Sequence, residues 1–478
     1  MHFIKRLSPL LPYIGILAAS MTYLWWGAIR WQANFTGDEA LYGIMARDIV
    51  EGRGLPIYLY GLRYGGTLMI YFCAPFVWLS GGTVPGLRIG SDILYLVFLC
   101  LQGYFVHRLW GPVAAWASMF LLAIPFTFGN FLIGPMPGIA MYMSLSTGAL
   151  IAFFCWKPTS NRARFSRLWL IGFLMGLAIW SLPLNLMYAL ALILVATLRS
   201  QEWQSIRRWM NRATTFAPPW LSSASLALTT LFLSVGITRT VYAQQAATLA
   251  PFAGLLLITL FLVSKRKVSL LTEMGIAALG FAVGNAPQWI SWIFFGFASD
   301  TSYHPTMPGW QSFAALLTQI VPPVFNGNSL TILAQFDWPN IRLFGSLHFV
   351  LYTALFIAFL WMYRTSIGRI LALDIQKEDS PILLIMLLFF LPLLAISGIG
   401  EINSGMIRYA TPAWQAASIM MAVMLTRLLR HSGTLFGLAL WVIILHIGAN
   451  FAWLSSVSPE TGGLFDREDI ADVARFLQ

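Results

Sequence analysis

Long apolar runs separated by short polar segments make up most of the 478-residue chain. A helix needs about 20 apolar residues to cross roughly 30 Å of hydrocarbon. Runs near that length occupy residues 11–29, 89–106, 112–129, 139–156, 216–237, 243–263, 274–296, 343–363, 380–399, 406–426 and 433–454. Together with a hairpin over 168–198, they predict an all-α polytopic membrane protein with about 13 transmembrane helices.

The stretch 168–198 is apolar but interrupted from Pro183 to Asn185. A break there predicts two short spans, and the alternative is one long tilted helix, which would reverse the sidedness of everything downstream. The stretch from Thr67 to Ser80 is also apolar, but as a helix it is only about 20 Å long. We expect it to lie on the outer surface or to dip into it.

Segment 38–51 is expected to form an amphipathic helix at the membrane interface. Its apolar residues recur at helical spacing, at Leu41, Ile44, Met45 and Ile49. Gly52 and Gly54 provide its stop. This helix belongs to region 30–88, the first of two long polar regions expected to face outward, and the second is about 297–342. The chain is thus predicted to have one membrane domain over 1–454 and a short extracytoplasmic tail over 455–478.

Composition agrees with a membrane-embedded chain, because hydrophobic residues make up 58% of it and charged residues 10%, against about 25% in soluble domains. The net charge of +11 arises from short clusters between apolar runs, so it indicates orientation rather than nucleic-acid binding. With those clusters inside, the amino terminus is inside and the acidic tail outside. The clusters are Lys5–Arg6, 157–167, 199–212, 265–267, 364–377, and Arg427 with Arg430. Residues 1–29 resemble a signal peptide, but many spans follow, so we expect an uncleaved anchor.

The remaining polar and sulfur-containing residues in apolar stretches have structural interpretations. Cys73, Cys100 and Cys155 lie singly, so we expect neither a disulfide nor a structural metal. Asp92 is expected to pair with Arg88, one turn earlier on the same helix. Glu273 is expected to lie beside the inner cluster at 265–267.

Two adjacent carboxylates, Asp38 and Glu39, begin the predicted interfacial helix. With Thr36 they fit a capping box, in which Glu39 caps the first turn. They also fit a catalytic role. Neighbouring residues on a helix point about 100° apart, so one carboxylate can cap while the other faces a cavity.

A run of tyrosines and glycines follows that helix, from Leu55 to Thr67, and includes Tyr60, Arg63 and Tyr64. Glycines let the backbone approach a ligand closely, and tyrosines supply stacking faces and hydroxyls that suit carbohydrates. The alternative is a belt of interfacial tyrosines, which is common in membrane proteins.

Three segments in this order resemble the GT-C superfamily of integral-membrane glycosyltransferases, especially the branch with protein O-mannosyltransferases and lipid A aminoarabinose transferases. They are the first outer loop (37–47 with 60–67), the Gly-Asn-Ala-Pro of 284–287, and the Arg-Tyr-Ala-Thr-Pro of 408–412. The resemblance covers most of the chain in layout but only these segments in residues. It implies transfer of a sugar from a polyprenyl-phosphate donor to a lipid, glycan or protein acceptor, outside a bacterial inner membrane.

The resemblance assigns the catalytic base to Asp38, and Glu39 would orient the acceptor or complete the loop. Many relatives carry a further acidic residue in the next outer loop, but 130–137 has none. A lysine-proline or histidine-proline element is replaced by residues 63–66. With only two carboxylates at hand, we expect no divalent metal.

A phosphate-linked sugar has a good leaving group, so the protein needs a base and a positive charge for the departing phosphate. Arg408 begins a span on the outward side and is the candidate cation, although an arginine that snorkels or pairs with Glu401 is the alternative. One displacement at the anomeric carbon inverts it. Further candidates for binding substrate are Tyr60, Arg63, Tyr64, His304 and Tyr409, with His304 also readable as an ordinary loop histidine.

Two other classes of function fit the sequence less well. A transporter or lipid flippase usually carries ionisable groups near mid-span and repeated halves, and no repeat is found here. A non-catalytic scaffold would leave the tyrosine and glycine run without a purpose.

Overall fold

The computed structural model describes residues 10–30, 37–60, 65–124, 138–200, 204, 268–295, 314–325, 339–397, 409–430, 437 and 440–448. The predicted spans 216–237 and 243–263 and the tail 455–478 lie outside these residues. So do four predicted site residues, Arg63, Tyr64, His304 and Arg408.

The described part of the chain is helical, and its one β pairing is an isolated antiparallel bridge between Tyr58 and Gly66. The helices are α1 (Leu11–Arg30), α2 (Gly37–Val50), α3 (Leu68–Leu79), α4 (Val84–Trp110), α5 (Pro112–Ala123), α6 (Ile139–Phe154), α7 (Asn161–Ser181), α8 (Leu186–Leu198), α9 (Val268–Gly284), α10 (Ala286–Phe295), α11 (Pro339–Met362), α12 (Arg364–Leu371), α13 (Ser380–Ser397) and α14 (Thr411–Arg430). A short π-helical turn, Leu316–Ile320, continues into Val321–Val324.

The all-helical membrane fold predicted from the sequence is confirmed, and the protein is an integral membrane protein. Helices α4 and α7 and the segment Lys377–Ile396 are long and apolar enough to cross a membrane. A fourth span results if α11 and α12, which meet at a 68° bend, are counted together. The other apolar helices of the described chain are shorter, so the figure of about 13 spans stays a prediction.

Residues 168–198 form the predicted hairpin. Helix α7 ends at Ser181, a 3-10 turn covers Pro183–Asn185, and α8 begins at Leu186. At the far end of α8, the Arg199 guanidinium lies 5.3 Å from the ring centroid of Phe153 and is near enough to Arg167 for the two charges to interact. Because Arg167 lies in the second turn of α7, the chain has returned to the end from which it left.

Four of the six basic clusters predicted to face inward have residues that the structure describes, and these four meet at one end of the bundle. Glu273 pairs with Arg164 at 2.7 Å, which joins the start of α9 to the start of α7. The Gln204 side chain donates to the Ile375 carbonyl at 3.2 Å. Arg427 lies 5.7 Å from the ring centroid of Tyr363. These contacts join the clusters at 157–167, 199–212, 364–377 and 427–430, and we call this end of the bundle the basic end.

Helices α7 and α9 run parallel with their backbones in contact. Gly172 and Gly176 on α7 face Gly280 and Gly284 on α9, so each helix presents two glycines four residues apart. A Cβ atom added to any of the four would collide with a backbone atom of the partner helix. Small residues of this kind drive helix association in lipid, where apolar side chains gain nothing by leaving the hydrocarbon.

We predict that Gly280→Ala destabilises the protein by about 1–3 kcal/mol, because the new methyl group would collide with the Trp169 carbonyl. The matched control is Gly275→Ala on the same helix, where nothing lies within 4 Å. That change should be neutral or stabilising by about 0.5–1 kcal/mol. Thermal unfolding in detergent, monitored by size-exclusion chromatography, gives the melting temperatures of Gly280→Ala and Gly275→Ala. Equal melting temperatures would contradict the prediction.

Helix α14 lies at the centre of the bundle, with every residue from Thr411 to Thr426 buried. Gln415 holds it through uncharged polar contacts. Its amide nitrogen donates to Gln102 Oε1 at 2.7 Å and to Thr147 Oγ1 at 3.0 Å, and its carbonyl oxygen accepts from the Tyr188 hydroxyl at 2.5 Å. Four helices (α4, α6, α8 and α14) are thereby joined at one fully buried point, which we call the central amide network.

We predict that Gln415→Leu lowers stability by roughly 2 kcal/mol, from three hydrogen bonds at about 0.6 kcal/mol each in a membrane. Ser418→Ala is the control, because the Ser418 hydroxyl donates to the Gln415 backbone carbonyl, at 2.7 Å, within the same helix. Differential scanning fluorimetry in detergent measures both. A Gln415→Leu protein as stable as Ser418→Ala would show that the network does not hold α14.

Candidate active site

The acidic pair lies in the first turn of α2, and its two members face different surroundings. Glu39 is 1% exposed, whereas Asp38 is exposed. The difference follows from the turn of about 100° between neighbouring helical residues. The capping-box alternative depends on Thr36, which lies outside the described residues.

The Glu39 carboxylate is bound by an arginine of the next spanning helix. Arg88 Nε donates to Glu39 Oε1 at 2.6 Å, and Arg88 Nη2 donates to Oε2 at 3.1 Å. Both side chains are buried, so this is a two-pronged ion pair inside the protein. It ties the surface helix α2 to α4.

The sequence predicted Asp92 as the partner of Arg88, and the structure adds Glu39, which accepts two hydrogen bonds from the guanidinium. A carboxylate on another helix can meet the planar guanidinium face to face, whereas one on the same helix reaches it only along the axis. Asp92 stays near enough for its charge to interact with Arg88 and Glu39.

The turn after α2 is held by Asp48 and Tyr60. The Tyr60 hydroxyl donates to Asp48 Oδ2 at 2.9 Å, and Arg53 Nη1 lies 3.2 Å from Asp48 Oδ1. Burial and then the contact with Asp48 raise the pKa of Tyr60, which therefore keeps its proton. Its predicted part in substrate binding remains a prediction.

The tyrosine and glycine run is fixed against the end of α7 by Trp180. The Gly66 amide donates to the Trp180 carbonyl at 2.8 Å, and the Trp180 ring nitrogen donates to the Ile57 carbonyl at 3.2 Å. A Cβ atom at Gly66 would lie 2.7 Å from that ring nitrogen. The close approach that the sequence suggested for a ligand is thus made, at Gly66, to a tryptophan of the protein itself.

Tyr58 lies in the same run, opposite Gly66 in the isolated bridge. Burial of the hydroxyl raises its pKa to about 12. The group therefore stays a neutral hydroxyl at any physiological pH.

We predict that Gly66→Ala releases the run from Trp180, because the added methyl group has no room. The control is Gly54→Ala, where the added group meets nothing within 4 Å. Limited proteolysis should cut region 54–67 faster in Gly66→Ala than in the unmodified protein, and at an unchanged rate in Gly54→Ala. Equal rates in all three would exclude Trp180 as the anchor.

Helix α2 and the start of α14 both approach the start of α6, at the end of the bundle opposite the basic end. The Tyr42 hydroxyl lies 4.0 Å from where a Cβ would stand on Gly138, just before α6. One turn into α6, the Tyr142 hydroxyl is hydrogen-bonded to Thr411 Oγ1. Tyr409, which is buried, is also near enough to interact with Tyr142.

The structure therefore brings Asp38 and Tyr409 to the same end of the bundle, as the predicted topology requires. Three residues of this end were missed from the sequence: Arg88, Tyr142 and Trp180. Only Arg88 gave a signal, because a cation in an apolar span needs an anion, and an acidic pair precedes it. Among the residues that the structure describes, no group of three or more His, Cys, Asp or Glu side chains could hold a metal ion.

Two solved structures show what this arrangement of helices is. The archaeal oligosaccharyltransferase AglB from Archaeoglobus fulgidus, in complex with an inhibitory peptide and a dolichol-phosphate, matches with a TM-score of 0.50 at 14% identity, over 95% of this chain and 56% of that chain. ArnT from Cupriavidus metallidurans, bound to undecaprenyl phosphate, matches with a TM-score of 0.50 at 11% identity, over 90% of this chain and 62% of that chain. Both are GT-C membrane glycosyltransferases. The chain has the GT-C fold.

The resemblance stated from the sequence is thereby confirmed at the level of the fold. The chain spans less than two thirds of the length of either structure. No protein-family model matches the chain, and neither does any curated protein sequence. The residues that carry chemistry on the GT-C fold must therefore be argued from this chain's own site.

Proposed function

We propose that the protein is a membrane glycosyltransferase that moves a sugar from a polyprenyl-phosphate donor to an acceptor outside the membrane. The observation that carries the proposal is the exposed Asp38 carboxylate, at the end of a GT-C fold where α2 and the start of α14 both approach α6. The two similar structures, AglB and ArnT, were solved with dolichol-phosphate and undecaprenyl phosphate. A lipid phosphate is accordingly the donor chemistry that we propose here.

In the proposed reaction, Asp38 accepts the proton of the acceptor hydroxyl as its oxygen attacks the anomeric carbon. The bond from that carbon to the phosphate oxygen breaks, and the polyprenyl phosphate leaves with the electron pair. Arg408 would hold the phosphate, since a guanidinium can donate two parallel hydrogen bonds to two phosphate oxygens. A single displacement inverts the anomeric centre.

The other predicted residues have supporting parts in this proposal. Glu39 completes the loop through its pair with Arg88. The substrate would be held by Tyr60, Arg63, Tyr64, His304 and Tyr409. The acceptor class, lipid, glycan or protein, is set by loops that a shared fold does not determine.

The proposed orientation follows from the basic end. Basic loops face the cytoplasm in membrane proteins, so the opposite end, with Asp38, faces outward. This corresponds to an amino terminus inside, the carboxyl-terminal tail outside, and a bacterial cytoplasmic membrane.

A transporter or flippase is the second candidate. Substrate sites in such proteins usually place ionisable groups or half-helix ends at mid-membrane. Where α4, α6, α8 and α14 cross, the described contacts are those of the uncharged central amide network. The observation favours the transferase.

We predict that the purified protein retains a polyprenyl phosphate or its glycoside, detectable by mass spectrometry of extracted lipids. Arg408→Ala should lose this lipid, because it removes the cation proposed to hold the phosphate. Asp38→Asn should keep the lipid and lose sugar transfer, because it removes only the base. The matched control is Arg427→Ala, which removes an arginine from the last turn of α14, at the basic end.

The outcomes separate the two candidates. Loss of the lipid in Arg408→Ala but not in Arg427→Ala supports the transferase and identifies the donor. Bulk phospholipid alone in all four proteins would reject the phosphate-binding role of Arg408 and favour the transporter.

A further inference from the structure

Arg88 is a buried cation between two carboxylates from different parts of the chain. Its guanidinium spends two donors on Glu39, at 2.6 and 3.1 Å. Asp92, one turn further along α4, interacts electrostatically with both members of the pair. The residue is 5% exposed, so water does little to screen these charges.

The pair lies at the turn of α2 that carries Asp38. Further along, α2 is held by apolar burial, with Met45 and Ala46 fully covered. In the first turn, the ion pair between Glu39 and Arg88 joins α2 to α4. Asp38 directly precedes Glu39 in the same turn. A rotation of this turn that moves Glu39 away from Arg88 therefore turns Asp38 through the same angle.

Removing Arg88 does more than delete a hydrogen bond. Glu39 would then be a buried carboxylate without its cation, beside the half-buried Asp92. A carboxylate in that position either takes up a proton or moves toward water, and in both cases it loses its ionic hold on α4. Because Asp92 is fixed on a spanning helix, the first turn of α2 is the part that moves.

We propose that Arg88 and Glu39 form a positioning pair that fixes the direction of the Asp38 carboxylate. Arg88 is then a positioning residue of the candidate site rather than a catalytic one, because it acts through Glu39. The functional meaning rests on the proposed role of Asp38, but the geometric claim does not. The experiment therefore measures the position directly.

A nitroxide spin label on Asp38→Cys, in protein with Cys73, Cys100 and Cys155 replaced by alanine, reports the mobility of the first turn by continuous-wave electron paramagnetic resonance. Arg88→Gln should shorten the rotational correlation time of the label severalfold, because the turn is released. Arg88→Lys should give a smaller change, since lysine keeps the charge but not the planar fork. A second label on Glu51→Cys, at the far end of α2, should not respond to Arg88→Gln.

Arg47→Gln is the matched control, because Arg47 forms an ion pair with Glu51 at 2.7 Å on the exposed side of the same helix. It should leave the label at position 38 unchanged. If Arg88→Gln does not fold, Glu39→Gln carries the test, because it weakens the pair and leaves Arg88 beside Asp92.

An unchanged spectrum at position 38 in folded Arg88→Gln or Glu39→Gln protein would overturn the positioning pair. Equal mobilisation by Arg47→Gln would do so too. Sugar transfer is measured separately: released mobility at position 38, together with full transfer by Asp38→Asn, would support the pair and reject Asp38 as the base. Failure of the two proposals is thus distinguishable.

Discussion

The ion pair between Glu39 and Arg88 connects two helices of different kinds. One is a short helix at the surface, and the other is a 27-residue helix that crosses the membrane. Charges buried away from water are strongly unfavourable unless they meet each other, so neither partner can leave alone. We propose that the exposed Asp38 takes its position from this contact of the neighbouring residue.

The frame behind this contact is built mostly from close approach between backbones. Gly66 lets the first outer loop reach Trp180 at the end of α7, and the facing glycines of α7 and α9 hold those helices together. Tyr142 and Thr411 add the start of α14. Dispersion and short hydrogen bonds do this work, because hydrocarbon gives helices no apolar reason to associate.

The sequence predicts those features that depend on length and local pattern. Apolar runs located α1, α4, α7, α8 and α13, and the interruption at Pro183 located the hairpin. The basic clusters meet at one end, because the cost of moving charge across lipid constrains every loop alike. The GT-C resemblance, drawn from three short segments, matches the fold.

Features that depend on distant contacts could not be predicted. Arg88 was assigned to Asp92 because sequence shows a neighbour one turn away and not a carboxylate 49 positions earlier. The partners Gln102 and Gln415 are 313 positions apart, so nothing local joins them. Gly66 was predicted to let the backbone approach a ligand, because the sequence does not show that Trp180 packs against it. Helix geometry predicted that the two carboxylates face different surroundings, but which of them is buried, Glu39, depends on Arg88 of another helix.

The central amide network has a consequence for how the protein responds to a voltage across its membrane. A unit charge that moves through 100 mV gains or loses about 2.3 kcal/mol, enough to bias a conformational equilibrium strongly. Gln102, Thr147, Tyr188 and Gln415 are joined by neutral groups, so the membrane voltage exerts almost no net force where the four helices meet. The network also has no carboxylate or imidazole to titrate, which makes its hydrogen bonds indifferent to the proton gradient. The crossing of α4, α6, α8 and α14 is therefore expected to keep its geometry when the membrane voltage or the pH changes.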